Sequence, residues 1–182
     1  MKQALLIGSI LLLPAGLIMA GGPDARGGSA AVASVSGTLN GGARSPRELV
    51  DELLQALEHK DGHALQRLRV TEAEYRDVII PGNVPPGQPP RTLAAAWVDY
   101  AWDNLNDRST VHEQRLLDDY GGHRLTLEEF GFEDGDQAYA GYTAHRQLRL
   151  KVRNSDGAER EVRTGSVAEV AGTYKFISFI RD

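Results

Sequence analysis

Five histidines, a column of aspartates and two acidic turn sequences are the residues of this chain whose types could do chemistry. His59 and His63 have the four-residue spacing of a helical metal pair, but Asp61-Gly62 lies between them and should end the helix, which predicts solvated surface histidines. His112-Glu113 is followed by no second histidine four residues after the first, so it is not a zinc-protease motif. His145 falls beside Gln147 and Arg149 on the charged side of an alternating segment and is expected to point outward. Asp99, Asp103 and Asp107 recur every four residues and stack on one helix face. A hard cation needs about six or more fixed oxygens, so the stripe predicts a solvated polar face. Asp134-Gly135-Asp136 and Asn154-Ser155-Asp156-Gly157 resemble pieces of calcium loops but lack the alternating ligands and the closing glutamate, which makes them turns. There is no glycine-rich phosphate loop, no Gly-x-Ser-x-Gly elbow and no cysteine. These residues assign no catalytic group, no metal site and no cofactor.

Arg146 is harder to dismiss. Strict alternation puts it on the same face as Tyr142, Leu148 and Leu150 and opposite Ser166, where an unpaired buried guanidinium would be costly. Three outcomes are open: it pairs with a carboxylate, it lines a solvated pocket and could hold an anionic ligand, or a β-bulge turns it outward. Trp97, Tyr100, Trp102 and Tyr142 could wall the same pocket, although core packing alone explains such aromatics. The candidate pocket is therefore Arg146, Tyr142, Ser166, Trp97 and Tyr100, with a small molecule as its ligand.

The elements that must position these residues are helical first and extended later. Ser45-Pro46-Arg47-Glu48 combines an N-cap hydroxyl, proline at the first helical position and glutamate three residues after the cap. Leu49, Val50, Leu53, Leu54 and Leu57 then form one apolar stripe that Asp61-Gly62 ends. A short helix through Ala64, Leu65 and Leu68 follows. Thr71-Glu72-Ala73-Glu74 repeats the capping box ahead of Tyr75, Val78 and Ile79. Residues 81–91, with five prolines, form an extended loop. Another helix is expected from Leu93 to Leu105, with Trp97, Tyr100, Ala101 and Leu105 at core spacing, and residues 110–120 look helical as well.

From His123 the period changes to two. Strands are expected over 124–132, 137–153, 158–170 and 173–181. If Ser155, Asp156 and Gly157 form a three-residue loop with Gly157 left-handed, the partners in the second and third strands sum to 312. Leu150 then meets Val162 on one face, while Lys151 meets Glu161 and Arg153 meets Glu159 on the other.

Helices with capping boxes followed by a long antiparallel meander ending in Gly172-Thr173-Tyr174-Lys175-Phe176-Ile177 resemble the nuclear transport factor 2-like (SnoaL-type) domains, here over residues 45–182. The resemblance implies an α+β fold in which N-terminal helices pack on a curved antiparallel β-sheet, the cystatin-like cone. It also implies a pocket inside the sheet and back-to-back dimers. Members of this type include isomerases, dehydratases and binders without catalysis. Because no carboxylate lands inside the sheet by alternation, the expectation is a non-enzymatic binding or interaction domain, the alternative being a small-pocket isomerase or lyase using Tyr142 and Arg146. Apolar groups on both faces of the last strand, Tyr174, Phe176 and Ile180 against Ile177 and Phe179, further suggest a homodimer through the sheet.

The N-terminus suggests where the domain works. Lys2 precedes an apolar run over residues 4–20, which reads as a signal peptide cleaved after Ala20 or, if uncleaved, as an inner-membrane anchor. Without cysteine there is no lipid anchor. Residues 21–44, rich in Gly, Ala and Ser, read as a flexible linker to a single domain over 45–182. An exported, periplasmic or secreted protein is expected, touching membrane only through an uncleaved N-terminal segment. The net charge of −5 has its signs interspersed, so no nucleic-acid partner is expected.

Overall fold

Helix α1 (Pro46–Glu58) starts where its sequence says it should. Ser45 is in an extended conformation, and its hydroxyl accepts the Glu48 N–H. The Glu48 carboxylate reaches back to the Arg44 N–H at 2.6 Å. The stripe Leu49, Val50, Leu53, Leu54 and Leu57 is buried, each leucine worth roughly 1.5–3 kcal/mol relative to exposure. Asp61 does more than end α1: its carboxylate caps α2 (Gly62–Arg67) by accepting the Ala64 N–H. The second capping box is complete at Thr71, whose hydroxyl accepts the Glu74 N–H while Glu74 accepts the Thr71 N–H, and it opens α3 (Glu72–Glu74). A π-helical turn (Tyr75–Ile79) and α4 (Ile80–Gly82) continue the same coil. Pro81 has no N–H for the carbonyl four residues back, so the ladder widens just before it. After the proline-rich loop, α5 (Ala95–Tyr120) runs unbroken for 26 residues, so the two expected helices are one.

The structure, a computed structural model, describes residues 37–181. The expected signal peptide or anchor and the linker up to residue 36 lie outside the described residues, whereas residues 37–43, assigned above to the linker, are packed. Leu39 and Ala43 are buried, and Ala43 exchanges two backbone hydrogen bonds with Tyr174. Among the described residues no helix is long and apolar enough to cross a membrane.

The strands form two antiparallel sheets, so the protein is α+β. One has the order β1-β4-β5, from Leu125–Phe132, Leu148–Asn154 and Glu159–Arg163. The other has the order β2-β3-β6-β7, from Asp136–Ala138, Thr143–His145, Val167–Val170 and Thr173–Phe176. The 312 register holds across the β4–β5 hairpin, where Gly157 is left-handed at φ 81°. It also holds between β3 and β6, where His145 meets Val167 and Ala144 meets Ala168. The expected strand over 137–153 is broken twice, at residues 139–142 and at Arg146-Gln147, where Gln147 takes φ 55°, and the one over 158–170 is broken once, around Gly165-Ser166, opposite Arg146-Gln147. Because both partners break together, the pairing sum survives. The break nevertheless reverses which residues face inward.

One face therefore carries Leu148, Leu150, Val162, Val167 and Phe176 into a core with α1 and α2. The other face of the four-stranded sheet carries Ala144, Ala168 and Val170 into a second core with Leu39, Val78, Ile79 and Tyr142. Covering on both sides accounts for the doubly apolar last strand: Phe176, Phe179 and Ile180 are all buried within the chain.

Candidate functional site

The breaks in the two strands set up an open cleft of about 290 Å³. The first break contributes Arg146 and the second Ser166. Tyr139, Tyr142 and Ala144 come from the turn before β3 and from β3 itself, Leu105 and Arg108 from α5, Asn83 from the start of the proline-rich loop, and Ile177, Ser178 and Ile180 from the chain after β7. Gly165 makes this convergence possible. A Cβ at that position would sit 2.3 Å from the Ser178 carbonyl oxygen, so only glycine lets the terminal segment pass so close.

Three of the five expected pocket residues, Tyr142, Arg146 and Ser166, meet here. Arg146 is not inside the sheet. Its side chain is 47% exposed, its N–H donates to the Gly135 carbonyl, and its guanidinium lies 3.7 Å from Asp134. Arg146 thus turns outward at the strand break and lines the open cleft. Trp97 and Tyr100 are elsewhere: they are 66% and 63% exposed near the start of α5 and pack edge to face on each other. The core side of α5 is instead marked by Val98, Ser109, Glu113 and Leu116. Val98 begins one residue after Trp97, and this offset is why the aromatic spacing misled.

The cleft is cationic and hydroxyl-bearing. Among the described residues Arg108 has no ion-pair partner, and the lining includes no carboxylate. Tyr142 is buried and stacks on Tyr139 with 4.9 Å between ring centres. Burial, reinforced by the neighbouring Tyr139 and Tyr75 phenols, pushes its phenol well above the ordinary tyrosine range, so it stays protonated and can donate rather than act as a base. Two guanidinium groups beside seryl and phenolic hydroxyls suit a small phosphate or carboxylate.

The residue that alternation placed wrongly is His145. The strand break turns it inward, where it is 9% exposed and packed between the Phe132 and Tyr174 rings at 5.0 and 5.8 Å. Its Nδ1 lies 2.7 Å from Asp136 and its Nε2 2.9 Å from Glu169. A histidine acting as a general base needs one nitrogen free to face a substrate, and here carboxylates occupy both. The group is a structural tie: Phe132 belongs to the three-stranded sheet and the other members to the four-stranded one. The only sequence signal was the register, which sets Thr143 opposite Glu169, two residues from His145 on the same face.

A second buried charge cluster joins Lys175 to Glu74 at 2.9 Å, with side chains 3% and 4% exposed. Glu74 also accepts the N–H groups of Asn40 and Thr71, and Lys175 donates to the Asn40 carbonyl. Burial pushes the Glu74 carboxyl up, but its hydrogen bonds from Thr71, Lys175 and Asn40 outweigh this and hold it below the ordinary range. The cluster is fully occupied with pinning residue 40 to β7.

His59 ends α1 and gives its Nδ1 to the Gln55 carbonyl at 2.8 Å, while His63 lies in α2, so the two do not form a pair. Asp99 is bound to Arg76 at 2.6 Å. Among the described residues no group of three histidines or carboxylates could hold a metal ion. Compared with known proteins, the chain matches no family model, no curated protein and no solved structure.

Proposed function

We propose that this protein is an exported, non-enzymatic binding domain of the nuclear transport factor 2-like type, and that the cleft between the strand breaks and α5 holds a small anionic molecule. The observation that carries the reading is the approach of Arg108 and Arg146 to one open cleft whose described lining includes no carboxylate. Two cations there raise the local concentration of an anion, and Ser166, Ser178 and the protonated Tyr142 supply neutral donors of the kind that fix its orientation. A proton-transferring enzyme would need a base at the bound molecule, and Tyr142 is held in its protonated form.

Helices ahead of antiparallel strands, with both long strands bent at matching positions, support the cystatin-like cone. The apolar run over residues 4–20 supports export. Native mass spectrometry of protein purified gently from its compartment tests the binding reading. An acidic small molecule should remain on the wild-type chain and be lost from Arg108→Gln and Arg146→Gln. Only the bare chain mass, from a protein that also ignores added phosphate and carboxylate ligands, would end it.

A further inference from the structure

A second cleft, of about 410 Å³, opens along the same edge of α5. His112, Arg115 and Asp119 line it from the helix, Glu161 and Arg163 from β5, and Arg181 from the terminal segment. Arg108 of the first cleft and His112, Arg115 and Asp119 of the second recur at four, three and four residues, so they share one stripe of the helix.

Burial, then Arg115, then Arg108 hold the His112 imidazole below its ordinary range, so His112 lies within reach of a guanidinium from each cleft. Arg163 is engaged by Glu161 and Glu133. Among the described residues, Arg115 and Arg181 have no ion-pair partner.

The terminal segment crosses α5 between the clefts, pinned where the Phe179 N–H donates to the buried Ser109 hydroxyl at 2.9 Å. Ser178 and Ile180 face the first cleft, and Phe179 and Arg181 the second. Seven residues of helix separate Arg108 from Arg115, roughly 10 Å along the axis.

We infer that the two clefts are subsites of one binding groove along α5, and that its ligand is a linear polyanion carrying phosphate or carboxylate groups roughly 10 Å apart, one held by Arg108 and Arg146 and the next by Arg115 and Arg181. The inference rests on the binding reading of the first cleft and extends it. A single small anion leaves the second pair of guanidinium groups unused. A chain of anions engages both, and the second contact costs little further freedom once the first has formed.

Calorimetry on the full chain, with orthophosphate, long-chain linear polyphosphate and polyglutamate as probes, tests this. One of the two polymers should bind at least about tenfold tighter than orthophosphate and lose affinity more steeply with salt, and the tighter polymer identifies the anion class. Arg115→Gln, Arg181→Gln and Arg146→Gln should each weaken that polymer about tenfold. Arg115→Gln and Arg181→Gln should leave orthophosphate binding at the first cleft unchanged. All three side chains reach the surface, so thermal melts should match wild type and folding failure will not obscure the result.

If the polymer keeps its affinity in Arg115→Gln and Arg181→Gln but loses it in Arg146→Gln, the ligand is confined to the first cleft. The inference then falls while the binding reading stands. The opposite pattern would move binding to the second cleft and overturn both, as would a polymer that binds no tighter than orthophosphate in a protein that binds neither.

Discussion

Arg146, in the break between β3 and β4, and Lys175, on β7, are both cations, and the structure treats them oppositely. Half-exposed Arg146 has only a loose contact with Asp134, so Arg146→Gln should change stability by no more than about 0.5 kcal/mol while weakening anion binding about tenfold. Urea denaturation beside a binding titration separates the two effects, and a large loss of stability would show that the side chain is structural. Lys175 is the reverse. Its removal leaves the Glu74 carboxylate buried without its counter-charge, and Lys175→Ala should cost about 3–5 kcal/mol, read from the same denaturation curves. The pH dependence of that pair has a definite sign. Because Glu74 is held below its ordinary value of 4.5, its contribution is fully present above that pH and is lost as pH falls through the lower folded-state value. Acid unfolding followed by circular dichroism should therefore begin below pH 4.5 in wild type, and Glu74→Gln should flatten the dependence in that range.

At the level of elements, much of the fold was legible because local chemistry and burial agree. Both capping sequences start helices, and the 312 register follows from a hairpin that sets Lys151 against Glu161 and Arg153 against Glu159 on the exposed face. What alternation could not supply is the pair of breaks at Arg146-Gln147 and Gly165-Ser166. Neither changes the pairing sum, so no mismatch in the charge pattern reveals them, yet each exchanges the two faces. Arg146, which strict alternation puts on the inner face, is outside, and His145 is the reverse, for this single reason. The same breaks form the cleft, so part of the candidate site was legible as residues but not as geometry. Trp97 and Tyr100 misled differently, since aromatic spacing indicates a stripe without saying which neighbour covers it. The break at Gly165 has its own test. Gly165→Ala places a methyl against the Ser178 carbonyl and should cost about 1–3 kcal/mol, with the cleft's anion affinity falling alongside it. A variant as stable as wild type would mean that the terminal segment does not pass so close.

The whole molecule is larger than its helical start suggests. Residues 37–43 complete it by pairing Ala43 with Tyr174 and covering Glu74 from Asn40. A chain beginning at residue 45 should unfold at lower temperature and lower denaturant than one beginning at residue 37, because the Glu74–Lys175 pair loses the Asn40 N–H and carbonyl. Equal midpoints would show that the segment adds nothing. The two cores and the tie through His145 hold the sheets in the arrangement that leaves the strand breaks facing α5, so the cleft depends on the fold as a unit.

Its function is tested most directly by following backbone amide resonances of the isotope-labelled protein as an anionic ligand is added. The account predicts saturable shifts concentrated at Arg108, Tyr142, Arg146 and Ser166, and their loss in Arg146→Gln. Shifts scattered over the exposed lysines and arginines without saturation, or saturable shifts that leave these four residues unmoved, would contradict it.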